Sequence, residues 1–272
     1  MELLVNGART YAYTGGKAHS PGQPTVVFIH GVLHDHSVWI LQSRFLAHHG
    51  WNVLAIDLPG HARSAGQAPA SVEEAADFVA ALLDAAGKER AALVGHSWGS
   101  LIALEAAARL QGRITHAALV GCAFPMRVSA ALLEAAQNEP AKAIALINQF
   151  SRSTLAPPPS ALGPGTWVDG LSTALNHRVL ASNPHVNVLH RGFLACDHYT
   201  RGLDAVAELS AKLLFVLGEH DQMTPAKAAQ TLIQKARELR KSVEVAMVTV
   251  GHHQMNEAPD ATLKALRGFL RD

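Results

Sequence analysis

Cysteine is almost missing from this 272-residue chain, with only Cys122 and Cys196 present. Two distant cysteines could form at most one bridge, so a disulfide scaffold is excluded and a reducing cytoplasm is the expected compartment. No run approaches the ~18–20 consecutive apolar residues of a membrane span. The opening Met1 to Gly7 has neither a basic stretch followed by a long apolar one nor a small-residue cleavage site, so no signal peptide is expected. Charge of one sign is also lacking: Lys plus Arg is 23 and Asp plus Glu is 22. A nucleic-acid or polyanion partner would call for a basic face, so none is expected. Charged residues are sparse at 17% against 49% apolar, a balance that excludes disorder because enough surface can be buried to offset ordering entropy. Aromatics are few, at 6%. Histidine, at sixteen, is what the chain has in plenty.

No repeat of 20–50 residues is present. Strand-like and helix-like stretches alternate instead. Glu2–Val5 and Arg9–Thr14 flank Asn6-Gly7-Ala8 and predict a hairpin. Continuous apolar runs at Thr25–Ile29, Asn52–Ile56, Ala91–Val94, His116–Val120, Lys212–Leu217 and Val243–Val248 suit strands buried on both faces of a parallel sheet. Between them, helices are predicted over Val38–His49, Val72–Ala86, Ser97–Leu110, Ala226–Arg240 and Asp260–Leu270. Ser71 with Glu74 reads as a capping box, and Thr224-Pro225 as an N-cap and first-turn pair. The alternation predicts an α/β fold with a mostly parallel central sheet flanked by helices.

One segment breaks the pattern. No buried strand is predicted over residues 124–199. Helix is predicted over Met126–Phe150 with a break at Pro140, and again over Gly170–Ala181 and His185–Leu194. Ala156–Ser160 and Gly163–Gly165 read as loops. A segment of ~75 residues is too long for a plain loop. The expectation is a core of residues 1–123 and 200–272 with 124–199 as a helical cap over the carboxyl ends of the strands, where ligands bind in open α/β sheets.

The strongest chemical signal is Gly95-His96-Ser97-Trp98-Gly99, a G-x-S-x-G pattern between a predicted strand and a predicted helix. A sharp turn there forces the serine into a strained conformation and presents its hydroxyl above the sheet, at a helix N-terminus that favours developing negative charge. A serine needs a base. Gly251-His252-His253 follows the last predicted strand, and His252 is preferred over His253 because it directly follows the glycine turn. An imidazole needs a carboxylate. Glu219 and Asp221 both follow the strand ending at Leu217, and Asp221, further into the loop, is preferred. The oxyanion donors expected are the backbone N–H groups of Trp98 and of Val32, in the loop after Thr25–Ile29.

These motifs, together with His30-Gly31, Trp39, the run Asp57 to Ser64, and Glu257 and Pro259 near the end, resemble the α/β-hydrolase superfamily with a helical cap, over almost the whole chain. The order Ser97, Asp221, His252 is the nucleophile–acid–base order of that superfamily. Ala62 departs from it, standing where similar proteins often carry glycine. The resemblance places His34 near the pocket mouth. His34, Phe124 and His253 are the candidates for substrate contact. His30, His61 and His96 fall in family motifs and read as scaffold, and Cys122 as a buried apolar residue. The cluster His34-Asp35-His36 lacks the ligand spacing of binuclear zinc hydrolases, and no HExxH pattern occurs, so neither a metal nor another cofactor is expected.

The function expected is hydrolysis of a carboxylic ester or related small acyl substrate through an acyl-enzyme on Ser97. Serine argues against epoxide hydrolases and haloalkane dehalogenases, which the resemblance runs with aspartate. A C–C bond hydrolase of diketone-like substrates and a slow-turnover ligand receptor of the same fold remain open, since a fold does not fix a reaction. Nothing in the sequence sets an oligomeric state.

Overall fold

The computed structural model describes residues 1–153 and 167–271. Eight strands form one sheet: β1 (Glu2–Val5), β2 (Ala8–Tyr13), β3 (Thr25–Ile29), β4 (Asn52–Ile56), β5 (Ala91–His96), β6 (Ile114–Val120), β7 (Lys212–Gly218) and β8 (Val243–Val248), in the order β1-β2-β4-β3-β5-β6-β7-β8. The hairpin β1–β2 is antiparallel and β2 joins β4 antiparallel, while every later pairing is parallel. The apolar runs explain this arrangement. β3, β4 and β5 are buried at every position, as strands covered on both faces must be. Strand order reverses between β3 and β5, so their carboxyl ends open the crevice in which open α/β sheets bind ligands.

Helices cover both faces. On one side, α2 (Val72–Ala85), α3 (Trp98–Leu110), α8 (Gly202–Glu208) and α9 (Gln230–Glu238) pack around Val27, Leu93, Leu119 and Phe215. On the other, α1 (Ile40–Ala47) and α10 (Pro259–Phe269) cover Phe28, Val94 and Val216, with Trp39 and Phe269 fully buried. Each such large apolar side chain contributes roughly 1.5–3 kcal/mol of burial free energy. α3 is Ala-rich because it runs against the sheet, α2 and α8 at once, and small side chains allow that approach.

Between β6 and β7 the chain forms α4 (Ala130–Asn138), α5 (Pro140–Ser151), α6 (Val168–Ala181) and α7 (Val188–His198), which share their own cluster around Ile144, Val179 and Leu189. Pro140 sits at the first turn of α5, where its missing N–H is tolerated. α4 begins later than the hydrophobic pattern implies because Ser129 is extended and its hydroxyl accepts from Leu132 N. α7 is likewise delayed to Val188, with Asn187 accepting from His190 N. The short α8 had no sequence signal. The loop readings at Ala156–Ser160 and Gly163–Gly165 lie outside the described residues. Ser71 caps α2, accepting from Glu74 N at 3.1 Å, and Glu74 Oε2 accepts in turn from Ala70 N at 2.8 Å. Thr224 is different. It caps nothing: Ala226–Ala229 is a 3-10 turn preceded by Pro225, and the threonine side chain is engaged elsewhere.

Candidate active site

Ser97 joins β5 to α3 with φ 54° and ψ −120°, a left-handed conformation that costs a non-glycine residue strain. Two glycines make the turn possible. A side chain on Gly95 would run into the Gly99 backbone, and one on Gly99 would lie 2.5 Å from the carbonyl oxygen of Ile29. The Ser97 backbone is held by donation from its N–H to Val120 O at 2.9 Å. Ser97 lines a cavity of about 220 Å³ at the carboxyl end of the sheet, which His252, Val32, Met126, Phe193 and Thr224 also line.

His252 follows Gly251 in the loop after β8, and four hydrogen bonds hold that loop. His252 N donates to Ser151 O at 2.7 Å, at the end of α5. The His96 ring donates from Nε2 to His252 O at 2.8 Å. Glu257 accepts from His253 N and Ser153 N at 3.2 and 2.9 Å. The His252 ring then meets Asp221, with Nδ1 2.9 Å from Oδ2. Asp221 is saturated with donors: Met223 N and Thr224 N at Oδ1, and the Thr224 hydroxyl at Oδ2 over 2.7 Å. Gln254 Nε2 adds a longer contact of 3.3 Å to Oδ2. Burial alone would raise this carboxyl; the His252 ring and the Thr224 donors outweigh it and hold it below its ordinary value. Glu219, the alternative acid, is exposed.

Val32 lies in the loop after β3, where Gly31 closely approaches Ser97, and Trp98 directly follows the serine. Among the described residues, neither Val32 N–H nor Trp98 N–H is engaged in a hydrogen bond. His30 steadies the Val32 loop, its Nδ1 donating to Gly31 O at 2.8 Å and its Nε2 accepting from Leu58 N at 3.1 Å.

None of the three side chains expected at the substrate is among the residues lining this cavity. His34 and His253 are buried, 5% and 2% exposed, edge to face with ring centroids 5.0 Å apart. Burial pushes the His34 ring down to about 3, aided by its histidine neighbours, and lowers His253 well below its ordinary value, aided by Arg152. Both rings are therefore neutral. Phe124 packs against Tyr199 at a centroid distance of 6.0 Å and is not among the residues lining the cavity. The sequence could not separate these cases, since loop residues carry no periodicity to say which way a side chain points. Two supporting residues were missed, Thr224 and Gln254; neither belongs to a motif.

Asp35, His36 and Asp57 bring three ligand-type atoms within 4.8 Å of one another. Each carboxylate is already engaged: Asp57 by His36 Nδ1 at 2.8 Å and Arg63 N, Asp35 by Ser37 and by Arg178 at 2.7 Å. A larger cavity of about 460 Å³, lined by Thr10, Pro59 and Phe78 among others, contains none of the site residues. No helix among the described residues is long and apolar enough to cross a membrane.

A family model of the alpha/beta hydrolase fold matches residues 24–259, and the chain belongs to that family. It is 39% identical over 118 residues to the dihydrolipoyllysine-residue acetyltransferase component of the acetoin cleaving system of Cupriavidus necator, covering 43% of this chain and 30% of that protein. It is 35% identical over 104 residues to epoxide hydrolase B of Mycobacterium tuberculosis, covering 37% of this chain and 29% of the relative. The matched stretch is thus about a third of each of these curated relatives. An esterase from Exiguobacterium antarcticum superimposes with a TM-score of 0.81 at 16% identity, covering 100% of this chain and 99% of that one, a likeness of fold.

Proposed function

We propose that the chain is a serine hydrolase that cleaves a carboxylic ester or related small acyl substrate through an acyl-enzyme on Ser97, with residues 124–199 as a cap over the core of 1–123 and 200–272. One observation carries the reading. His252, joined to Asp221 at 2.9 Å, lines the same small cavity as a serine held in a strained strand-to-helix turn.

His252 takes the proton of Ser97 as its hydroxyl oxygen attacks the acyl carbonyl. Asp221 fixes the ring with Nδ1 protonated, so that Nε2 is the basic atom, and opposes the charge of the imidazolium. The carbonyl electron pair moves to oxygen, where the Val32 and Trp98 N–H groups receive it. The C–O bond to the alcohol then breaks as His252 returns the proton to the leaving oxygen. Water repeats the sequence on the acyl-enzyme, releasing the acid and restoring Ser97. Serine at this position, where the resemblance gives epoxide hydrolases an aspartate, favours acyl chemistry over epoxide opening. No cofactor or metal enters the scheme.

The test is steady turnover of p-nitrophenyl acetate and butyrate by the wild type and by Ser97→Ala. Turnover by the wild type that vanishes in the variant supports the reading. A single burst without turnover would favour a receptor, and no reaction at all would favour C–C or other chemistry.

A further inference from the structure

The loop that carries Val32 is gripped from the insertion at residue after residue. Leu33 is fully buried among Ile144, Val179, Val188, Leu189 and Phe193, all contributed by α5, α6 and α7. Its φ is 55°, the left-handed region that a leucine keeps only where its surroundings over-determine it. The Leu33 carbonyl accepts from Asn176 Nδ2 of α6 at 3.0 Å, and Asn176 is itself 1% exposed. Asp35 accepts from Arg178 of α6 at 2.7 Å. At Val32 the contact is steric. A Cβ on Gly192, in the middle of α7, would stand 3.0 Å from Val32 Cγ2 and 3.2 Å from Cγ1.

Glycine is a poor residue for a helix interior, and its place there calls for a packing reason. The reason here is Val32. Its β-branched side chain is stiff about χ1, so it cannot swing aside, and a push on it passes to its own backbone. We infer that α6 and α7 hold the Val32–Leu33 segment in the geometry that aims the Val32 N–H at the oxyanion, with Asn176 and Gly192 as positioning residues. This rests on the reading of Val32 as an oxyanion donor. The insertion is then a structural part of transition-state stabilisation as well as a cover over the cavity.

The test is Gly192→Ala, made with and without Val32→Ala, using p-nitrophenyl acetate. Alanine is the better helix former, which offsets part of the steric cost, so the variant is expected to fold and to melt near wild type. Its kcat is expected to fall about tenfold or more, toward the ~10²–10³ that loss of an oxyanion donor costs, with KM within about twofold. In the Val32→Ala background, where the clash is relieved, adding Gly192→Ala is expected to change kcat by less than about twofold. Asn176→Leu, which removes the donor at similar size, is expected to lower kcat with KM again little changed. Equal kcat in Gly192→Ala and wild type would overturn the proposal. So would a loss of equal size in both Val32 backgrounds, or a loss confined to KM. A wild type with no esterase activity would instead overturn the hydrolase reading beneath it.

Discussion

The Thr224 hydroxyl donates to Asp221 Oδ2 over 2.7 Å, and its oxygen also lies 3.0 Å from His252 Nδ1. The proposed acid is therefore held by a side chain and two backbone N–H groups of its own turn, and the ring proton of His252 is shared between a carboxylate and a hydroxyl. Thr224→Val keeps the shape and removes both contacts. A hydrogen bond to a charged group contributes about 1.5–3 kcal/mol, so kcat for p-nitrophenyl acetate is expected to fall at least about tenfold. Thr224→Ser is expected to retain most activity. Equal activity in valine and threonine forms would show that Thr224 has no part in holding the acid.

Asp221→Asn is expected to lower kcat by about 10⁴-fold, the effect of leaving the imidazole in the wrong tautomer in a serine-protease triad. Glu219→Gln, on an exposed side chain, is expected to change it less than about threefold, on the order of other surface substitutions. Steady-state kinetics of the two variants side by side would show it, and a larger loss at Glu219 would reverse the assignment of the acid.

The histidines make stability depend on pH. Burial, with the neighbouring histidines, lowers His34 and His61 to about 3, and it lowers His96 and His253 well below their ordinary value. The unfolded chain binds protons at these rings near pH 6.5, whereas the folded chain stays neutral until far lower pH. Unfolding therefore takes up protons below pH 6.5, and stability falls as pH drops through the window from about 6.5 toward 3. For His34 and His61 the loss is at most about 1.4 kcal/mol per pH unit each within that window. Urea melts at pH 7, 6 and 5 are expected to show a steep decline in the midpoint. A midpoint unchanged between pH 7 and 5 would contradict neutral burial of these rings.

His252→Ala is expected to abolish turnover of p-nitrophenyl acetate while leaving the melting temperature near that of wild type. His253→Ala, which empties a fully packed position next to His34 and His96, is expected to lower stability by about 1–3 kcal/mol and to leave substrate affinity unchanged at low temperature. Thermal melts and kcat for both variants check this pair. A shift in KM with intact stability for His253→Ala would return that ring to the substrate.

Most of the fold was legible because a parallel sheet covered on both faces writes itself as uninterrupted apolar runs, as at Thr25–Ile29 and Lys212–Leu217. The turn at Ser97 was legible because it demands glycines at fixed spacing. What stayed hidden depends on contacts between distant residues. Thr224 next to Pro225 has the local chemistry of a helix cap, and only the approach of Asp221 and His252 recruits its hydroxyl. His34 and His253 sit in loops, and their burial follows from mutual packing that no local pattern encodes. Gly192 reads as a flaw in a helix until Val32, 160 positions earlier in the chain, is brought against it.

The most direct test of the central claim is covalent labelling with a fluorophosphonate, followed by peptide mapping. If Ser97 is the nucleophile, its Oγ attacks phosphorus, fluoride leaves, and one adduct forms per chain, on the peptide carrying Gly95 to Gly99. Ser97→Ala is expected to take no label, and His252→Ala to label far more slowly than wild type. An adduct on another serine, or equal labelling of wild type and Ser97→Ala, would contradict Ser97 as the nucleophile.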